Sequence, residues 1–412
     1  MAETTSGGWR RNLYLLLVSN SLSMLGLNFT LPFMPLYIRS LGIANAEEAA
    51  FWGGVALAAG GISLFIFGPI WGSVADLVGK KAMVVRAAVG GGFSVGALGL
   101  APSMPWVVFI RSFEGVFSGN TGAGQAMVAA IAPRDRLAQS MGLLQVATFT
   151  GMALGPLVGG AIADIMGFKP TYFVMGGLMM AGGIFVWRFA KEERPSARPS
   201  TVLSPLKLIS SLADVLRSRD AVTMLGFFLF AQVAAGVINP VLPLFLQTVK
   251  GDDQGISSIF GTALFITGAV GAATALVAGR LSQRIGLKPL ILFGCMGYFV
   301  VYLLQASSTT VFQFMVLTAL TGACRGSLQT ATISLIGLTV PRSRVGSAFG
   351  IAQSIGSASL GVAPFIGGAL ASLFGLRFVF LFAAASFLLL APAAAIGLKE
   401  AGIEPRPSPS QA

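Results

Sequence analysis

Long apolar stretches recur from one end of the chain to the other, separated by short polar or Pro/Gly-rich gaps. They cover approximately 12–38, 50–75, 82–101, 105–132, 139–166, 170–190, 220–247, 256–279, 289–307, 311–340, 347–373 and 376–398. Each is long enough to cross a bilayer as a helix, which takes about 20 residues. The pattern predicts an all-α polytopic membrane protein with twelve spans, numbered here from the N-terminus. The longest polar segment, 191–219, lies at the midpoint and opens Pro/Ser-rich, as a linker does. The expected organisation is a six-helix bundle over 1–190, a cytoplasmic linker over 191–219, a second six-helix bundle over 220–400 and a disordered cytoplasmic tail over 401–412.

The two halves repeat each other. Residues 133–169 align with 341–377 at a constant offset of 208, and 11 of the 37 positions are identical, among them Pro156, Gly159 and Gly160. Two prolines three apart near the end of span 1, Pro32 and Pro35, recur as Pro240 and Pro243 in span 7. Such pairs should kink both spans. Internal symmetry in a very apolar chain points to a transporter whose site lies between the halves.

Composition supports the membrane reading. Only 10% of the residues are charged, against roughly 25% in a soluble protein. The net charge of +12 would suit a nucleic-acid binder, but its placement is topological. With the N-terminus assigned to the cytoplasm, 21 Lys and Arg residues fall in cytoplasmic gaps and 4 on the other side. The positive-inside rule then places both termini in the cytoplasm. Arg10-Arg11 before an apolar run resembles a signal peptide, but the run is too long, and it is expected to stay as span 1. Histidine is absent and the two cysteines, Cys295 and Cys324, fall in different spans, so neither a metal site nor a disulfide framework is expected.

Three motifs carry mechanism. Gly72-x-x-x-Asp76-x-x-Gly79-Lys80-Lys81 joins spans 2 and 3, and Gly279-x-x-x-Gln283-x-x-Gly286-Leu287-Lys288 joins spans 8 and 9 at the same spacing. Span 4 holds Arg111-x-x-Glu114-Gly115, and span 5 holds Gly142-x8-Gly151-x3-Gly155-Pro156-x2-Gly159-Gly160. Together they resemble the major facilitator superfamily over essentially the whole length, and within it the twelve-span drug:H⁺ antiporter branch. The opening WRRN…LPFMPLYIRSLG is similar to MdtG-type multidrug exporters. The resemblance implies the major facilitator fold of two pseudo-symmetric six-helix bundles. It also implies that Asp76 latches the cytoplasmic side, with Arg134, Arg136 and Arg342 as candidate partners. The span 5 glycines form a groove that the resemblance sets against span 8. Span 11 carries Ser359 and Ala363 where span 5 has Gly151 and Gly155, so the groove is expected in the first half alone.

Ionisable residues inside spans default to function because they are costly there. Arg111 and Glu114 are three apart and share a helix face. Glu114 either carries the coupled proton or stays ionised in a structural pair with Arg111. Arg325 in span 10 either meets Glu114 or attracts anionic substrates. Asp164, near the end of span 5, is expected to face water. Further candidates for the substrate cavity are Asn28, Phe117, Gln145, Gln232, Asn239, Gln329 and Gln353. The reading is a proton-coupled exporter of amphipathic small molecules or drugs, conferring antibiotic resistance. It is expected to act as a monomer in the bacterial inner membrane, without cofactor or nucleic acid. The alternative is a proton-coupled metabolite transporter, either a sugar or siderophore exporter or a symporter. An enzyme would need a catalytic constellation and a sensor a soluble output domain, and the chain shows neither.

Overall fold

The computed structural model describes residues 8–117, 119–133, 136–190, 219–339 and 345–398. These residues are almost wholly α-helical, and ten of their helices are long and apolar enough to cross a membrane. In the first half these are span 1 (Gly8–Ser40), span 2 (Ala46–Val78), span 3 (Lys80–Leu98), span 5 (Leu137–Met166) and span 6 (Phe168–Phe189). In the second they are span 8 (Ile256–Ile285), span 9 (Lys288–Ala306), span 10 (Val311–Thr339), span 11 (Val345–Phe374) and span 12 (Leu376–Gly397).

Spans 4 and 7 are each made of two shorter helices. Span 4 comprises Met104–Phe117 and Asn120–Ile131, and span 7 comprises Arg219–Gly236 and Leu242–Lys250. The expected kinks therefore appear unequally. Pro32 and Pro35 sit inside the unbroken span 1 helix, where the Asn28 amide donates to the Met24 carbonyl at 2.8 Å. In span 7 the equivalent pair follows a glycine. The helix stops at Gly236, and the Asn239 amide closes a tight turn onto its carbonyl at 3.1 Å. Span 4 breaks at Gly119, whose φ of 109° is a conformation that favours glycine.

Within each half, span 1 packs on spans 5 and 6, span 2 on 4 and span 3 on 6; in the second half span 8 packs on 10, 9 on 10 and 12, and 7 on 11. The halves meet along two crossings, span 5 with span 8 and span 2 with span 11. Both crossings use the same device. The Pro156 carbonyl lies where a side chain on Gly261 would begin, and the Pro364 carbonyl does the same to Gly54. One turn further, the Ser257 carbonyl closes on Gly160 and the Ala50 carbonyl on Gly368. Backbone thus meets backbone, as small residues permit between membrane helices.

These contacts gather at the end of the molecule where spans 1 and 5 finish. Aromatic pairs seal the same region across the halves: Phe33 against Phe260 at 5.5 Å and Phe51 against Phe365 at 6.4 Å. One apolar cluster runs through both halves there. At the other end, which carries Arg10, Arg11, Lys80 and Lys81, the first half has a separate cluster around Leu16, Val84, Met127 and Leu144 with no second-half member. Gly142 at this end, and Gly268 midway along span 8, have no described atom within 4 Å of a side-chain position. The halves therefore touch at the basic-poor end and part towards the basic end.

The tight groove is not confined to the first half, contrary to the sequence expectation. Gly151, Gly155 and Gly159 press on Ser21, Leu25 and Phe29 of span 1, not on span 8; Gly160 alone of the five meets span 8. In the repeat, Gly367 presses on Val237 and Gly236 makes room for Ala363. The glycine lost from span 11 is supplied by span 7, so the close approach survives. Overpacking a tight contact costs about 1–3 kcal/mol. Gly367→Ala should accordingly lower the melting temperature of the purified protein. Gly177→Ala, where a methyl meets nothing within 4 Å, should leave it unchanged or raise it.

Candidate functional site

Span 4 presents two faces. Trp106, Phe109 and Phe113 are exposed along one stripe, the lipid-facing side. Arg111 and Glu114 lie on the opposite face, three residues apart, and form an ion pair. Both are buried, at 3% and 2% exposure, so the pair is shut off from water on every side. Gly60 of span 2 makes this possible: a side chain there would overlap the Arg111 guanidinium, and its carbonyl presses on Gly115. A buried pair of this kind is held by its own geometry, since both charges have left water. Glu114 is the one buried acidic side chain among the described residues.

Arg325 does not join it. It lies fourteen residues from each end of span 10, is exposed, and has no ion pair or hydrogen bond among the described residues. The exposed apolar stripe of span 10, Phe312, Val316 and Leu320, points roughly the opposite way around the helix. Arg325 and Gln329, one turn apart, therefore face the interior gap and not lipid. Span 5 faces the same gap. Gln145, Phe149 and Met152 continue the stripe of Pro156 and Gly160 that meets span 8, and all three are exposed. Leu360 of span 11 continues the Pro364 stripe and is also exposed. These residues line a cleft between the halves, open towards the basic end.

The other cavity candidates fare differently. Asn28 spends its amide on its own helix and lies against Gly155. Phe117 packs on Gly90 of span 3 and lies tilted against Phe113 on the outer side, ring centroids 4.8 Å apart, so it does not line the cleft. Gln232 is half-buried in the first helix of span 7, and Asn239 is exposed in that span's break. The Gln353 side chain lies outside the described residues, as do Arg134 and Arg342 and the side chain of Asp76. Of the gating loop, positions 72 and 76 belong to the span 2 helix, Gly79 turns at φ 105° into span 3, and the Lys81 ammonium donates to the Ala190 carbonyl at 2.6 Å. Arg136 is exposed at the start of span 5, near Gln139. No three Asp, Glu or Cys side chains among the described residues converge on a possible metal position.

Two contacts went unread in the sequence. At the break in span 4, the Val116 carbonyl has lost its helical partner and accepts from the Trp71 indole at 2.6 Å and the Arg86 guanidinium at 3.3 Å. Arg86 in turn stacks 3.9 Å over the Trp71 ring, a cation placed at a helix C-terminus. The glycine of Phe117-x-Gly119 was the available signal. The second contact corrects the reading of Asp164 as merely facing water. Its two carboxylate oxygens accept from the Ser257 and Ser258 amides at 3.1 and 2.7 Å. An acid of the first half thus caps the N-terminus of span 8 in the second, where the helix dipole favours negative charge.

The family profile described as Major Facilitator Superfamily matches residues 16–304 and 251–412. The chain belongs to the major facilitator superfamily. Among relatives in the superfamily, it is 26% identical over 379 residues to the multi-drug resistance efflux pump PmrA of Streptococcus pneumoniae serotype 4, covering 91% of this chain and 93% of that one. It is 28% identical over 373 residues to the multidrug resistance protein MdtG of a Rahnella species, covering 90% of each. Among solved structures, a bacterial homologue of the human lysosomal transporter Spinster, inward-facing and unoccupied, matches with a TM-score of 0.79 at 13% identity over 95% of this chain and 97% of that one. The nucleoside transporter NupG matches with a TM-score of 0.78 at 13% identity over 93% and 100%. The superfamily fold is therefore established, with a multi-pass membrane chain of two six-span bundles.

Arg111→Met should be strongly destabilising, by about 3–5 kcal/mol, because it strands a buried carboxylate. The double substitution with Glu114→Gln should recover most of the loss, which thermal unfolding of both variants will show. For Asp164→Ala, loss of the cap costs about 0.5–2 kcal/mol, and the basic-poor end should open more often. Spin labels at Met166→Cys and Gln254→Cys should then report a larger population at long separation.

Proposed function

We propose that this chain is a proton-coupled exporter of amphipathic small molecules, a multidrug efflux antiporter working by alternating access. It sits as a monomer in the bacterial inner membrane, with the basic end and both termini in the cytoplasm. Substrate enters the cleft from that side while the basic-poor end is held shut. The relatives named as multidrug efflux proteins support the export of drugs. The observation that carries proton coupling is Glu114, a carboxyl buried on the face of span 4 turned away from its exposed aromatic stripe, with Arg111 as its partner.

In this reading the proton and the substrate occupy different levels of one pathway. Glu114 lies ten residues from the basic-poor start of span 4, about 15 Å along the axis, behind the contacts that close the halves. The cleft face of span 10 lies a turn deeper, on the open side. Opening the basic-poor end must undo the Asp164 cap and both glycine crossings, and the same movement would bring Glu114 towards water. Protonation removes its charge and weakens its hold on Arg111. A proton can then drive the return of the empty carrier. The basic end would close by the Asp76 latch that the span 2–3 loop implies.

Inside-out vesicles carrying the protein test this directly. An imposed pH gradient, acid inside, should drive uptake of fluorescent amphiphiles from a panel of both charge signs. Uptake should collapse with the gradient and fall to the level of empty vesicles in Glu114→Gln. Gradient-driven uptake that survives Glu114→Gln would remove Glu114 as the proton carrier. Absence of gradient-driven uptake across the panel would remove the proton-coupled reading altogether.

A further inference from the structure

We infer that Arg325 is an anion-binding residue at the centre of the cleft, selecting organic anions with an apolar body. The inference deepens the exporter reading above and rests on it for the route the ligand takes. Three observations converge. Arg325 stands fourteen residues from either end of span 10, where an arginine facing hydrocarbon would be costly. It is exposed, and the lipid-facing stripe of Phe312, Val316 and Leu320 lies on the far side of the helix. Its charge thus projects into the gap between the halves. Finally, Glu114, the one buried acid among the described residues, is paired with Arg111.

The surroundings fit one ligand chemistry. A guanidinium is a planar fork of donors that binds a carboxylate or sulfonate through two parallel hydrogen bonds. Gln329, one turn along, and Gln145, on the facing span 5 stripe, add neutral amide donors without adding charge. Phe149, Met152 and Leu360 are the exposed apolar residues on the cleft faces of spans 5 and 11, suited to a ring or aliphatic body. A cationic ligand would find no exposed carboxylate among the described residues of these faces and would approach an uncompensated positive charge. Like charge in a partly desolvated cleft discriminates against it. The cleft accordingly favours amphipathic monoanions over the cations of the same shape.

A matched pair of probes decides the matter. Pyrenebutyrate and a pyrenealkylammonium of the same length share an apolar body and differ in the sign of the head group. Equilibrium binding to the purified full-length protein, in nanodiscs of phosphatidylcholine alone, separates this inference from proton coupling because no gradient is involved. The carboxylate should bind more tightly than the ammonium. Arg325→Gln should weaken carboxylate binding by about tenfold or more, the value of a charge-assisted hydrogen bond, and leave ammonium binding unweakened. Arg325→Lys should keep part of the preference. Arg325→Glu should invert it, a gain of ammonium affinity that a misfolded protein cannot produce. Tighter binding of the ammonium by the unaltered protein, no binding of either probe, or equal effects of Arg325→Gln on both would overturn the inference. If the charge preference holds while gradient-driven uptake fails, the exporter reading falls and the anion site stands.

Discussion

Two places where one half's backbone lies against the other's, without space for a single methyl between them, hold this molecule in its present shape. Pro156 against Gly261 and Pro364 against Gly54 are the same contact made twice, related by the internal repeat. Association between membrane helices has little hydrophobic drive, because lipid is as apolar as a side chain. What remains is close packing, and close packing tolerates no bulk. Proline and glycine are therefore paired across the interface for a mechanical reason. The carbonyl of a proline-bearing turn approaches, and glycine alone leaves room for it. The closed end and the cleft beyond it follow from where these two crossings lie.

The crossings are alike but not equal. Between spans 2 and 11 the contact continues inwards, with Gly61 pressed on Gly361, whereas Gly268, the residue of span 8 in the matching place, has no described atom within 4 Å. The span 5 and span 8 crossing is shorter and is reinforced by a charge, Asp164 on the span 8 amides. One crossing is thus built from backbone packing over a longer reach, and the other from a short contact plus a capping carboxylate. A shorter contact reinforced by an ionisable cap is the one more easily released. Movement of the halves would then begin between spans 5 and 8, with the longer crossing of spans 2 and 11 the last to part.

Much of this was legible in the sequence, and the parts that were not share a cause. The twelve apolar runs matched the observed spans because hydropathy and length are summed over many residues. The +208 repeat marked Pro156 and Gly160 as important because spacing survives without coordinates. Contacts between distant segments leave no such trace. Nothing at Asp164 announces that Ser257, ninety-three positions on, will present two amides to it, and nothing at Gly90 announces Phe117. The loss of Gly155 at Ala363 looked like a lost groove because a single strand of sequence does not show that Gly236 has taken over the vacancy. Local breaks were half legible: Gly119 was visible, but Trp71 and Arg86, which make the break tolerable, are far from it in the chain.

The separation of the two inward-facing arginines has its own consequence. Arg111 is neutralised by Glu114 and enclosed by Gly60 and Gly115, so its charge contributes little to the field in the cleft. Arg325 is not neutralised, and the low-dielectric walls around it focus its field on whatever enters. A ligand in the cleft and a proton on Glu114 then need not compete for one group. On the proposed roles, coupling between them would pass through the closure of the halves, since Glu114 is enclosed and Arg325 is exposed. Such coupling is a difference in affinity between two conformations. In this fold such a difference would turn on whether two glycines receive two carbonyls.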